Sequence, residues 1–385
     1  MDRKMLHKIL GLFFIFSFAY GQSIGQNKAN LSENKKWDGI DTSKHTVPLK
    51  ELMVYESGDY DFPVLNRKVF VDKYRGDKFL YVKEPVISIE MNGEAKAYPL
   101  SILRYYEILN DEVGGIPVLI AYCSLCNSAM VFDKRINFKG ESYALDFLYP
   151  KMARQSNMVV KDKQTNTLWQ QFDGKGLVGK LSGAELTQLS FVLMSYKDFF
   201  VNYPNGKILT PESDPKMQFY KGYMMNPDVG YADINSDPHF FLGKVDARLS
   251  PKELVLVLKL KDRFFVYPFS AMTKENMIQD KPSGSEVVIF YNPNMVSILD
   301  KELIKESKNI GYAIAYSPQV KGKRLKFAKA ENGFIDTKTG SHWNMLGTCI
   351  DGKYKGEKLQ PYIYTQTFAF AILAFHPEAV VYEKK

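Results

Sequence analysis

The sequence predicts an α+β fold that is predominantly antiparallel β, built as two diverged copies of one β-rich module related by a pseudo-twofold. Three observations carry this expectation. Apolar residues alternate with polar ones over short runs bounded by turn residues, as in half-buried strands. Helical spacing is confined to short stretches such as 100 to 109. The chain also repeats itself at a nearly constant offset, the signature of a duplicated unit.

At the N-terminus, Arg3, Lys4 and Lys8 precede an apolar run from Ile9 to Phe18 that ends in Ala19-Tyr20-Gly21. Basic residues, a short apolar run and a small-residue ending describe a signal peptide over residues 1 to 21, with cleavage near Gly21-Gln22. The run is shorter than the roughly 20 apolar residues a membrane-crossing helix needs, so no retained membrane span is expected. The expected location is periplasmic or extracellular. A net +2 from Arg3, Lys4 and Lys8 against Asp2 leaves with the peptide, which takes the formal +8 to about +6. That charge is only mildly basic. Lys321, Lys323, Arg324, Lys326 and Lys329 alternate with Leu325 and Phe327 as on a solvated strand face, and no nucleic-acid partner is expected.

Hydrophobic residues make up 45% and charged residues 24% of the chain. These are ordinary globular values, and the length fits about two domains. Residues 22 to 47 are polar and read as a flexible leader, and 48 to 83 as an N-terminal extension packing on copy one. Copy one runs from 84 to 212. A connecting segment rich in Pro, Asp and Tyr spans 213 to 252, and copy two covers 253 to 385.

The repeat is legible residue by residue. Lys96-Ala97-Tyr98-Pro99-Leu100-Ser101 returns as Phe265-Val266-Tyr267-Pro268-Phe269-Ser270, at an offset of 169. Asp111 meets Asp280 and Tyr122 meets Tyr291 in the same register. Further on, Asp162, Thr165 and Trp169 return as Asp336, Thr339 and Trp343, at an offset of 174. Asn92-Gly93 marks a hairpin between strands 86 to 91 and 95 to 98. Strands are expected at 117 to 122, 129 to 133, 143 to 148 and 158 to 161, after a helix over 100 to 109. The Asp-x-x-Thr-x-x-x-Trp element suits a turn in which the carboxylate accepts turn amides while the Trp covers the core.

One element is not repeated. Tyr122-Cys123-Ser124-Leu125-Cys126 corresponds to Tyr291-Asn292-Pro293-Asn294-Met295, so the module is built in copy two with no thiols at that place. The fold therefore does not require the Cys-x-x-Cys pair, which points to chemistry in copy one. Four readings are open. A thioredoxin-like site needs a long helix after the pair, whereas residues 127 to 148 read as sheet. A zinc knuckle needs four ligands; beyond the pair the only thiol is Cys349, and the mature histidines are His45, His239, His342 and His376. A Cys123 to Cys126 disulfide is natural in an oxidising compartment, and its strained ring would be labile. A copper(I) site would use Cys123, Cys126 and Met130. A zinc or copper ion is thus the candidate cofactor, with Met130 or Cys349 as third ligand.

Glu107, Arg154 and Asn157 become Asn276, Ala328 and Glu331 in copy two. Glu107 is a candidate acid/base or ligand and Arg154 a candidate anion clamp. Absence of a Ser-centred elbow, a His-Glu-x-x-His and a phosphate-cradling glycine loop disfavours a hydrolase. The expected function is a metal-binding, cofactor-binding or thiol-redox module. The alternative is a non-catalytic protein presenting aromatic surfaces to a glycan or protein partner, with the cysteines as a structural disulfide.

Several blocks resemble the family catalogued as domain of unknown function 3179. They are Ala97-Tyr98-Pro99-Leu100-Ser101-Ile102-Leu103, Glu107 to Asp111, Tyr122 to Cys126, Ser156 to Asp162 with Thr165 and Trp169, and Thr339 through Pro377. The resemblance implies an exported or membrane-associated protein and no assigned activity. Family members usually read Cys-Pro-Leu-Cys-Gly, similar to zinc or rubredoxin knuckles, and carry a His before the Glu. Here Ser124, Asn127 and Tyr106 stand at those places.

Overall fold

The computed structural model describes residues 37, 39–54, 65–214 and 225–383. The expected signal peptide, and residues 22–36 and 38 of the expected leader, lie outside the described residues. The described chain is β-rich with few helices, and the sheets are mostly antiparallel. No described helix is long and apolar enough to cross a membrane.

Pro85–Met91 and Glu94–Pro99 form the first hairpin, with Asn92 at φ 51° and Gly93 at φ 84°. Two consecutive left-handed residues make the tight turn that matches strand twist. Leu254–Leu260 and Arg263–Pro268 form a second hairpin with Lys261 at φ 49° and Asp262 at φ 59°. Each second strand gains a short parallel neighbour from the end of its half, Lys207–Leu209 in one case and Val380–Val381 in the other.

Beside each hairpin lies a three-strand meander: Ile108–Val113, Ile116–Cys123 and Ser128–Asp133, and again Met277–Asp280, Val287–Asn292 and Tyr312–Ser317. A tyrosine locks hairpin to meander in both places. Tyr98 donates its hydroxyl hydrogen to Asp111 at 2.8 Å, and Tyr267 donates to Asp280 at 3.0 Å.

The aspartate turns have the geometry their spacing suggests. Asp162 accepts from the amides of Thr165 at 2.6 Å and Thr167 at 3.1 Å, and from the Trp169 indole at 2.9 Å. Asp336 accepts from the Thr339 amide at 2.7 Å and the Trp343 indole at 3.4 Å. Both indoles are fully buried.

The expected helix over 100 to 109 is shorter than its apolar spacing suggests. It covers Leu100–Tyr106, after which Glu107 turns to φ 60° and Ile108 enters the meander. Pairing of Ile108 with Ala121 and Leu109 with Ile120 outcompetes another helical turn. The expected strand over 143 to 148 is two strands, Glu141–Ala144 and Phe147–Arg154.

One hydrophobic core runs from Leu65 to Ala379, so both halves of the chain share it. Strand Val192–Ser195 pairs with Pro85–Met91 and packs on Tyr312–Ser317, while Tyr364–Phe368 pairs with Leu254–Leu260 and packs on Ser128–Asp133. Each half thus leans on the meander of the other.

Glu84 is buried at the head of the first hairpin, where it accepts from the Ser101 hydroxyl and, at 3.4 Å, from the Tyr81 amide. Burial pushes its carboxyl up to about 7, against these hydrogen bonds and the Arg104 charge. Folding therefore takes up a proton between the unfolded value and about 7. The contribution is fully present below the unfolded value and is lost as pH rises through neutrality, by up to about 3 kcal/mol. Glu84→Gln, which mimics the protonated form, is expected to flatten this fall. Urea unfolding of both proteins at pH 5 and pH 8 checks it; equal pH slopes would remove the assignment.

Candidate functional site

The thiol pair occupies the turn between Ile116–Cys123 and Ser128–Asp133. Asn127 closes the turn at φ 48°, with its amide on the Ser124 carbonyl at 3.2 Å and its side chain accepting from the Tyr122 hydroxyl at 2.8 Å. Cys123 is 2% exposed and Cys126 fully buried, and both are free thiols. The carbonyl of Cys126 accepts two bonds from the far end of the chain, the Phe368 amide and the Thr367 hydroxyl, each at 2.9 Å.

The two sulfurs are not equivalent. Burial pushes the Cys123 thiol up, but a hydrogen bond from Cys126 and the amides of Met158, Cys126 and Leu125 outweigh it, and the net direction is down. As a thiol, Cys123 has only the Ser156 carbonyl to donate to, at 3.7 Å, a weak bond beside those amides. Burial and the neighbouring Cys123 hold Cys126 well above the usual thiol range. Of the two, Cys123 is therefore the more acidic sulfur, and the pair titrates as a unit.

Asn157 sits beneath the pair in an amide network. Its Nδ2 approaches the Cys126 sulfur at 3.7 Å and donates to Gln171 at 2.7 Å, while its Oδ1 accepts from Gln170 at 2.6 Å and from the Phe172 amide at 3.1 Å. Gln171 in turn bonds Ser128, through both its hydroxyl at 3.2 Å and its carbonyl at 3.1 Å. The network fixes the floor of the site without offering a charge.

Glu107 is the conformational outlier. Its backbone is left-handed at φ 60°, and its carbonyl accepts from the Tyr122 amide at 2.8 Å, one residue before Cys123. In the second meander Asn276 does the same work, at φ 53° with its carbonyl accepting from Tyr291 at 2.8 Å. Asparagine enters that region readily, whereas another side chain costs about 1–2 kcal/mol. The Glu107 carboxyl is buried, and its Oε2 has no hydrogen-bond partner. Burial, then the charges of Cys123 and Asp228, pushes it well above the ordinary carboxyl range. Its surroundings thus favour the protonated carboxyl, near the more acidic sulfur.

Residues 225–252 cover the pair, although sequence reading made them a connector. Tyr231 donates to the Leu125 carbonyl at 2.8 Å, the Ser156 amide donates to Phe240 at 3.0 Å, and the Ser156 hydroxyl donates to the His239 carbonyl. Lys252, 3% exposed, lies over the Tyr231 ring with its Nζ 3.1 Å from the centroid. The covering residues gave no motif in the sequence; a lysine between Pro251 and an apolar strand was the single signal.

The chain matches the family model described as Protein of unknown function (DUF3179) over residues 60–379. It belongs to the DUF3179 family. No curated protein and no solved structure matches it.

In this DUF3179 chain the sequence candidates divide. Cys123, Cys126, Glu107 and Asn157 come together. Arg154 stands apart: it donates to Glu51 at 2.7 Å, stacks over Phe375 and meets the network only through Gln170 at 3.4 Å. Its charge is paired with Glu51. Met130 accepts from the Thr365 hydroxyl at 3.5 Å, and the Cys349 thiol donates to the Asp351 carbonyl at 3.2 Å within its own hairpin. Tyr106, at the place of the family's histidine, donates to Asp214 at 3.0 Å. Among the described residues no three His, Cys, Asp or Glu side chains are gathered to hold a metal. The donor set around the pair does not fit a closed zinc site.

Asn157→Ala strips Gln170, Gln171 and the Phe172 amide of a partner in a buried place. It is expected to cost about 2–4 kcal/mol, since each orphaned buried group costs about 1–3 kcal/mol. Chemical denaturation measures this; a loss under about 0.5 kcal/mol, the scale of a surface substitution, would show that the network is not holding the floor.

Proposed function

We propose that the chain is an exported thiol-redox protein in which Cys123 and Cys126 cycle between dithiol and disulfide. The observation that carries this reading is the asymmetry of the pair: hydrogen-bond donors converge on Cys123 and lower it, while burial and the neighbouring Cys123 raise Cys126. A low-pKa sulfur next to a protonated partner three residues on is what thiol–disulfide exchange requires of an attacking and a resolving thiol. Cys123 attacks the sulfur of a substrate disulfide and expels one thiolate; Cys126 then displaces the second and closes the ring. Two electrons pass to the substrate, and Glu107, a neutral acid beside Cys123, is placed to protonate a departing sulfur.

The two halves are proposed to be diverged copies of one module. The repeated hairpins, the Tyr98–Asp111 and Tyr267–Asp280 locks and the two aspartate turns support that reading, and only the first copy holds a Cys-x-x-Cys pair. Export is supported by the basic and apolar character of residues 1 to 18 and the small-residue ending before Gln22.

Reduced protein equilibrated with glutathione buffers, then alkylated and weighed, is expected to lose two alkylatable thiols together, with Cys349 remaining. Cys123→Ser or Cys126→Ser abolishes the transition, and Cys349→Ser leaves it in place. A pair that stays reduced across all buffer ratios, or that retains a stoichiometric metal after purification, would overturn the redox reading. Mass measurement of the secreted form is expected to place the mature N-terminus at Gln22.

A further inference from the structure

Lys252 is a buried amine whose Nζ has no hydrogen-bond partner among the described residues. Its backbone is pinned from both sides: the Pro251 carbonyl accepts from the Phe370 amide at 3.0 Å and the Glu253 carbonyl from the Ala369 amide at 2.8 Å. The side chain is thereby sent into a cage of Tyr231, Phe368 and Phe370, with Nζ at 3.1, 5.2 and 5.3 Å from the ring centroids. Two walls of that cage hold the thiol turn, since Tyr231 donates to Leu125 and the Phe368 amide donates to Cys126. An unpaired amine at this position costs stability, and packing alone would favour a methionine.

The residue 169 positions earlier makes the contrast. Lys83 likewise precedes the glutamate that starts a hairpin, and its carbonyl accepts from the amide of Val296, directly after Met295, at 3.0 Å. Met295 stands where Cys126 stands in the other half. Lys83 is half-exposed, with its ammonium 3.5 Å from Asn309. A lysine is sealed against the turn that carries a thiol and left in solvent at the turn that does not.

We propose that Lys252 is the proton acceptor for Cys126 when the pair reduces a small disulfide substrate. This rests on the thiol-redox reading of Cys123 and Cys126. In the mixed disulfide, Cys126 still carries its proton and attacks poorly. Lys252 takes that proton, the Cys126 thiolate attacks the Cys123 sulfur, and the substrate thiolate leaves and is neutralised from the lysine ammonium. One S–S bond breaks as one forms, and the two electrons end on the substrate thiols.

The groups that face the amine are consistent with this role. Burial lowers Lys252 to about 7, while Cys126 and Asp237 act to raise it. The ring faces also favour the cation. His239, packed on Tyr231, is itself lowered by burial and by Lys252, so it adds no positive charge near neutral pH. Tyr231 is held neutral by burial.

The test uses the full mature chain with Cys349→Ser and 5,5′-dithiobis(2-nitrobenzoate) as the disulfide. The first thionitrobenzoate released reports attack by Cys123, and the second reports ring closure by Cys126. Lys252→Met and Lys252→Arg are expected to release the first at the parental rate and the second about 100-fold more slowly, the scale of one lost general base. The mixed disulfide then accumulates and is seen by mass. Arginine keeps the charge but cannot accept a proton, so it separates proton transfer from charge stabilisation. The parental closure rate is expected to rise through neutral pH, and both variants to lose that inflection. Closure by Lys252→Arg at the parental rate with the parental pH profile overturns the proposal. If the parent itself releases no second equivalent, or releases the first in a Cys123→Ser variant, the redox reading fails with it.

Discussion

The carbonyl of Cys126 accepts hydrogen bonds from Thr367 and Phe368, and most of the site follows from that contact. It ties a turn in the first half to a strand that belongs to the second, across more than half the chain. Two bonds to one buried oxygen leave the turn little freedom, so both sulfurs are held at fixed places under a shared core. The same strand leads into the helix whose first amides hold Lys252. Thiol turn, covering segment and buried amine are therefore positioned by one junction.

Around that junction the polar groups fall into two kinds. Asn157, Gln170, Gln171 and Ser128 satisfy one another, as buried amides and hydroxyls must. Glu107 Oε2, Lys252 Nζ and Asn226 Nδ2 do not find partners. Asn226 is joined to the same region through Arg104, which bonds its Oδ1 at 3.1 Å. Unsatisfied buried groups cost stability wherever they stand, and here they gather with a left-handed glutamate. Each can exchange a proton or a hydrogen bond with a neighbour that changes charge.

The covering segment differs in kind from the sheets beneath it. Residues 225–252 hold few regular elements and contact the site through a handful of backbone and hydroxyl bonds. Segments of that kind open at lower free energy than the sheets they cover. The sheets hold the turn that carries the sulfurs, and residues 225–252 lie over it.

By itself the sequence determined the strand-rich class, the hairpin turns, the aspartate turns and the thiol pair, because each depends on residues within about ten positions of one another. Alternation, turn chemistry and a three-residue Cys spacing are local properties. It also singled out Glu107 and Asn157, through the comparison of one half with the other. It did not reveal that Arg154 pairs with the distant Glu51, and it extended a helix that strand pairing cuts at Tyr106. Lys252, Tyr231, Gln171 and Phe368 were not legible as site residues. Their place around the thiol turn depends on which segments the shared core brings together, and burial, not residue type, lowers the basicity of the lysine. Tertiary structure decided that.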